Sequence, residues 1–353
     1  MITTRINRAI HHRLRFCVSS LLGEGLRYKH MIVHWHNLFA RVNRLRRSKD
    51  SVETILGELP SKIIPINICN EHYYQNSLYG IAGVLRSYAS YNAKICACIE
   101  HGLFLGSYVN NAEVINSGLP GVITFSEVRK AHIKEKSQIC VYPIGPYIQY
   151  ANPYLAKKRA SLLKEKLGKT LLVFPSHSIV GTGVFYDFDQ FESVINRIVD
   201  RNKFDSVIVN LYYTDFCSEL ADRYRSRGYH VTCAGHNSDP LFLSRLRSLI
   251  EIADYSISNS CGTHVGYCIA LGTPHTIIQQ RIELIPDSAL EARNQNSSVG
   301  ADEEKNEICL AFSRFGSITG EQREVCRKYW GLDIMLSPSE MKAMLSALEA
   351  EMV

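Results

Sequence analysis

The sequence predicts an α/β fold: two Rossmann-like, doubly wound parallel sheets facing a cleft, behind a basic helical N-terminal segment. Three observations predict it. From residue 62 on, short apolar runs alternate with helix-length segments, the pattern of parallel strands covered on both faces. The chain has 353 residues, enough for two domains at roughly 100–200 residues each. The later apolar runs end in small and polar residues, and ligands of open α/β sheets bind outside those strand ends.

Residues 1–49 carry eleven Lys and Arg against one acid, Glu24, hence +10, while the whole chain is +6 and the remainder therefore −4. Apolar residues recur among the basic ones (Ile6, Ile10, Leu14, then Ile32, Trp35, Leu38, Phe39 and Val42). Two readings fit: a helix lying on an anionic membrane surface, or an arm packed on the body or on another subunit. His34 and His36 flank Trp35, but on a helix they point about 200° apart and make a poor ligand pair. Basicity confined to one segment argues against nucleic acid as a partner. Arg5, Arg8, Arg13 and Arg15 interrupt any signal-peptide apolar core, and no apolar run approaches the roughly 18–20 residues of a membrane span.

The first α/β series, placed at 50–155, reads as strands at 62–68, 93–102, 121–127 and 139–145, with helices at 75–91 and from Val128. A polar, charged stretch at 152–169 bridges to the second series, placed at 156–282. Its strands are 170–178, 206–213, 229–235, 255–260 and 274–279, with helices at 188–201, 217–227, 240–253 and 263–271. Residues 283–353 read as a polar, mobile loop over 283–307 followed by helices at 319–329 and 338–351. The eleven cysteines are scattered, some in strand-like runs (Cys96, Cys98, Cys140), with no CxxC. This implies buried thiols in a reducing cytoplasm and no structural metal.

Four strand ends of the second series converge. They present Ser176, His177 and Ser178; Tyr212, Tyr213, Thr214 and Asp215; Gly235, His236, Asn237, Ser238 and Asp239; and Ser258 to His264. The stretch Ser260, Cys261, Gly262, Thr263 and His264 opens a helix, where free amides and hydroxyls suit a phosphate. Plain N-capping by Ser or Thr is the competing reading of the same residues. Neither GxxxxGK[ST] nor a strand-to-helix GxGxxG is present, which argues against an NTPase and a dehydrogenase. In the first series, Glu100 and His101 end a buried strand; either is placed as a base, or Glu100 orients His101. Ser126, Glu127 and Arg129 end the next strand as acceptor or phosphate ligands, and Gly145, Pro146 and Tyr147 end a third.

Two doubly wound halves with a Gly/Ser/Thr turn before a helix in the second half resemble the GT-B glycosyltransferases. "FPSHS", "AGHNSDPLFLSRL" and "SNSCGTHVGYCIALGTPH" look like strings in proteins of bacterial capsule and O-antigen polysaccharide clusters. The resemblance covers roughly 62–280 and is more specific in the second half. It implies a metal-independent, peripheral transferase with a nucleotide-sugar donor, no cofactor, and a glycan or lipid-linked acceptor held by the first half. By the same resemblance, Ser260, Cys261, Gly262, Thr263 and His264 hold donor phosphates. Ser176, His177 and Ser178 touch phosphate or sugar, and Gly235, His236 and Asp239 flank the nucleoside. The chain departs from the family in lacking a recognisable ribose-gripping Glu, Glu283 being the nearest, so a CMP-sugar or a phosphoribosyl-type donor is implied as an option. A sugar-nucleotide epimerase of similar fold and a non-catalytic polysaccharide-assembly subunit are the alternatives.

Overall fold

The computed structural model describes residues 70–109, 114, 117–178, 182–216, 218–286 and 300–352, the backbone of 51–54 and 57–60, and positions 31, 33–35, 37 and 38. The predicted arm over 1–49 and the strand over 62–68 lie almost wholly outside the described residues. Strands β1 (Ser51–Thr54) and β2 (Gly57–Pro60) form an antiparallel pair.

In the first half, β3 (Ala97–Ile99), β4 (Gly121–Thr124) and β5 (Cys140–Pro143) pair in parallel in that order. Helix α1 (Ile81–Ala89) precedes β3, and α2 (Glu127–Lys134) joins β4 to β5. All of β3 and β4 is buried, so their sequences are continuous apolar runs rather than alternating ones. The predicted helix over 75–91 divides: a 3-10 stretch, Tyr74–Gly80, kinks before α1, with Tyr79 at φ 57°.

The second half follows α3 (Lys157–Leu167). Strands β6 (Thr170–Phe174), β8 (Ser206–Asn210), β9 (His230–Thr232), β10 (Tyr255–Ser258) and β11 (His275–Ile277) make a fully parallel sheet in the order β11-β10-β6-β8-β9. Helices α4 (Phe188–Asn202), α5 (Glu219–Ser226), α6 (Phe242–Ile252) and α7 (Thr263–Ala270) make the crossovers. Both predicted sheets are present, and the chain direction across this one reverses between β6 and β10, which makes their carboxyl ends the switch point. Side chains alternate as the pleat requires. Leu171 and Val173 of β6 face α4, where Phe188, Phe191 and Ile195 recur at helical spacing. Leu172 and Phe174 face the other way, into one apolar cluster that also holds Ile123, Val265, Trp330 and Leu345 and so runs through both halves.

The expected loop over 283–307 contains structure. Strand β12 (Glu283–Pro286) pairs antiparallel with β7 (Thr182–Phe185), and α8 (Ala301–Ala311) begins before the predicted helices. These four-residue strands are too short for a periodicity reading to register. Helices α9 (Gly320–Trp330) and α10 (Pro338–Ala350), each opened by a capping box, return to the first half. There α10 packs on α1, Tyr91 bonds Glu349 at 2.7 Å, and the Leu348 side chain lies against Gly121. Cys96 and Cys98 are buried as expected, but Cys140 is exposed, because β5 is an edge strand whose first side chain faces solvent. Among the described residues no helix is long and apolar enough to cross a membrane.

Candidate functional site

At the switch point the first and fourth strands of the second sheet meet through side chains. The Ser176 hydroxyl donates to Ser260 Oγ at 2.7 Å and lies 2.9 Å from Asn259 Oδ1, which also accepts the Ser176 amide at 2.6 Å. Asn259 is buried and its Nδ2 donates to Gln280 at 3.1 Å. An amide side chain with both ends engaged fixes the spacing between the two strand ends.

The turn 260–264 then enters α7. Gly262 is the N-cap and no side chain caps the helix, so the reading of these residues as a Ser or Thr cap does not hold. Helices α2, α4, α5, α9 and α10 are closed by Ser126, Asp187, Ser218, Thr319 and Ser337, whereas α1, α3, α6 and α8, like α7, have no side-chain cap. Of the first-turn amides of α7, that of Val265 donates to the Gly262 carbonyl at 3.1 Å, which leaves those of Thr263 and His264 ahead of the intrahelical ladder as donors. The Thr263 hydroxyl accepts the Leu103 amide of the first half at 2.9 Å, and its carbonyl accepts Trp330 Nε1 at 3.2 Å. One turn on, Gly266 lies flat against the Trp330 ring, where any Cβ would collide. His264 stacks on Phe174 at 4.8 Å and meets His275 edge-on at 5.4 Å. Its Nε2 is buried without a partner, and burial pushes its pKa down to about 3, so the imidazole is neutral. Burial also pushes the Cys261 thiol up to about 12, which keeps it protonated.

Beside this turn, Ser178 donates its amide to Asp215 at 2.9 Å and accepts Thr214 Oγ1 at 2.9 Å, tying the ends of β6 and β8 together. The rings of His177, Tyr212, Tyr213 and His236 form a ladder with centroids 4.2, 4.6 and 4.2 Å apart. His236 Nδ1 lies 2.8 Å from the Ser238 hydroxyl. Asp239 is not free for a ligand as the sequence led us to expect. One oxygen pairs with Arg245 at 2.8 Å and the other accepts the Leu241 amide at 2.9 Å. Gly235, at φ 117°, lets the backbone pass within reach of Arg245, so this pair shapes the β9–α6 turn. Glu283, the nearest candidate for a ribose ligand, is half exposed and pairs with Arg281 at 3.1 Å.

In the first half, Glu100 is committed. Arg129 Nη2 lies 2.6 Å from one oxygen, Arg129 Nε 2.9 Å from the other, and the Thr124 hydroxyl donates to the second at 2.7 Å. Glu100 as a base, and Arg129 as an acceptor or phosphate ligand, are therefore corrected to a buried ion pair. Ser126 is likewise engaged as the cap of α2. His101 remains in place: its ring lies 6.0 Å from Tyr79 and 5.8 Å from Phe104. It borders a cavity of about 280 Å³ lined also by Tyr73, Gln75, Phe104, Tyr108 and Arg129. Tyr79 faces the second half, with its hydroxyl 3.0 Å from that of Tyr212.

The structure thus joins Ser176, Ser260, Thr263 and His264 around one turn, with His177 and His236 on a neighbouring wall. It sets His101 across the boundary and assigns Glu100, Gly235 and Asp239 to support. Tyr79 is a residue that sequence reasoning missed, and Asn259 and Asp215 it named only as members of strand ends, with no role of their own. Asn259 and Asp215 stood in strand-end strings without a feature to single them out. Nothing in the sequence around Tyr79 signals its positive φ.

No protein-family model matches the chain, and no curated relative matches it. Among solved structures it is similar to the wall teichoic acid polymerase TagF, at 9% identity and TM-score 0.39 over 74% of this chain and 67% of that one. It is similar to the UDP-GlcNAc 2-epimerase of Neisseria meningitidis bound to UDP-GlcNAc, at 10% identity and TM-score 0.36 over 77% of this chain and 79% of that one. S. aureus MnaA with UDP follows at 11% identity and TM-score 0.35, over 76% of this chain and 71% of that one. These are likenesses of architecture, and the chemistry of the site is argued below from its own geometry.

Proposed function

We propose that the protein is a glycosyltransferase that moves a sugar from a nucleotide-activated donor to a hydroxyl of a glycan or lipid-linked acceptor. The observation that carries this reading is the open amino end of α7 beside the Ser176–Ser260 hydroxyl pair, at the point where the strand order reverses. Amides aligned with a helix dipole favour an anion, and they favour it most where charge develops. As the sugar–oxygen bond breaks, the departing phosphate gains charge. The Thr263 and His264 amides, the Ser260 hydroxyl that Ser176 orients, and the neutral His264 imidazole are its donors. His101 accepts the proton of the acceptor hydroxyl as the new sugar–oxygen bond forms. This reading places the acceptor in the cavity beside His101. A cytoplasmic setting at a membrane surface, with the +10 segment 1–49 as contact, belongs to the same reading.

The test is a melting-temperature screen with CMP-, UDP-, GDP- and dTDP-linked sugars. A ligand at 100 times its Kd adds about 2.7 kcal/mol of apparent stability, so a true donor stands out. Release of the nucleotide that depends on added acceptor separates a transferase from an epimerase. If no activated sugar shifts the melting temperature, the reading fails.

A further inference from the structure

We propose that Thr263 couples occupation of the anion turn to the segment 101–106, so that a bound phosphate orders one wall of the acceptor cavity. The inference rests on the donor reading of the turn 260–264 and adds a binding order to it, donor before acceptor.

The segment is held differently at its two ends. At Gly106 the peptide is clamped on both sides: its amide donates to Glu304 at 2.7 Å, and its carbonyl accepts Arg129 at 3.2 Å. Both clamps are themselves anchored, Arg129 by the buried Glu100 and Glu304 by His132 at 2.8 Å. Toward its other end, the Leu103 amide donates to the Thr263 hydroxyl, a neutral bond from the opposite half. Between the two lies Phe104, which lines the cavity and packs edge-on against His101.

Thr263 is also the first residue of α7, at the proposed phosphate turn. A hydroxyl carries one proton to give and two lone pairs. Accepting from Leu103 leaves the Thr263 proton available to an anion at the helix end. Donating that proton makes the oxygen a better acceptor, because bonds in a chain polarise one another. The Leu103 bond therefore strengthens when the turn is filled, and Phe104 and His101 are steadied with it.

Amide hydrogen exchange on the full chain tests this, with inorganic pyrophosphate as the probe. In the wild type, pyrophosphate should slow exchange both at 260–265 and across 102–106, the latter by at least about 5-fold, the lower end of typical site-to-site coupling. Thr263→Ser keeps the hydroxyl and should keep both effects. Thr263→Val keeps the shape and loses the hydroxyl. It should show faster exchange at 102–106 without ligand and no further protection there when pyrophosphate saturates 260–265. Thr263→Ala serves the same purpose if the valine cannot pack. Equal protection of 102–106 in the wild type and the hydroxyl-less variants would overturn the coupling while leaving the donor reading intact. No protection of 260–265 in the wild type would instead remove the donor reading, and the coupling with it.

Discussion

The hydroxyls of Tyr79 and Tyr212 meet at 3.0 Å across the boundary between the two halves. Burial raises the pKa of both, so both stay protonated and one donates to the other. Tyr212→Phe should leave the Tyr79 oxygen buried and unmatched, at a cost of about 1–3 kcal/mol. Adding Tyr79→Phe should recover part of it, because two apolar rings then face each other. Urea denaturation of both single variants and the double variant measures the coupling. A cycle that is purely additive would mean the contact is incidental.

Glu100 and His101 are adjacent, yet their substitutions should have opposite consequences. Glu100→Gln leaves the Arg129 guanidinium buried without its counter-charge, and loss of one partner from a buried pair costs about 3–5 kcal/mol. His101→Gln should melt near the wild type but lose about 10²–10⁴-fold in turnover, the range for a removed general base. Melting curves and rates on the two proteins decide it. A stable, inactive Glu100→Gln enzyme would return the base role to Glu100.

Gly266 sits one turn inside α7 against the Trp330 ring. Gly266→Ala should cost about 1–3 kcal/mol through overpacking, although alanine is the better helix former. Trp330→Phe in the same protein should relieve part of the clash. The midpoints of guanidinium unfolding report both. A stabilised Gly266→Ala variant would show that the ring can move aside.

Stability should decline in mild acid. The His264 pKa falls to about 3 in the folded protein and that of His275 lies well below 6.5, both through burial, whereas in the unfolded chain each titrates near 6.5. Below pH 6.5 the unfolded state therefore binds protons that the folded state refuses, and stability rises with pH across that window. Each histidine's contribution is fully present above pH 6.5 and is lost as the pH falls, with a slope of up to about 1.4 kcal/mol per pH unit that for His264 continues to about pH 3. Denaturant midpoints between pH 4.5 and 7.5 give the slope, and His264→Asn should flatten it. An unchanged slope would place the His264 ring in contact with solvent.

The strands and helices of the second half were legible in the sequence because covered parallel strands are unbroken apolar runs, and α4 repeats Phe188, Phe191 and Ile195 at helical spacing. The turn at Gly262 was legible because small residues between a strand and a helix are hard to place otherwise. Partners were not. Glu100 reads the same whether it faces solvent or a guanidinium 29 residues away. Asp239 reads the same free or paired with Arg245. The short ribbon of β7 and β12 escaped because four residues carry almost no period, and the twist at Tyr79 because tyrosine rarely adopts a positive φ.

Helix α10 lays Leu348 against Gly121 and Glu349 against Tyr91, residues more than 200 positions upstream. A nascent chain leaving the ribosome amino end first must therefore carry α1 and β4 with that face bare until residues 338–350 are translated. The first half is the first made and the last sealed, which exposes it to chaperones throughout synthesis and makes a stop codon before Pro338 a lesion of the amino-terminal sheet.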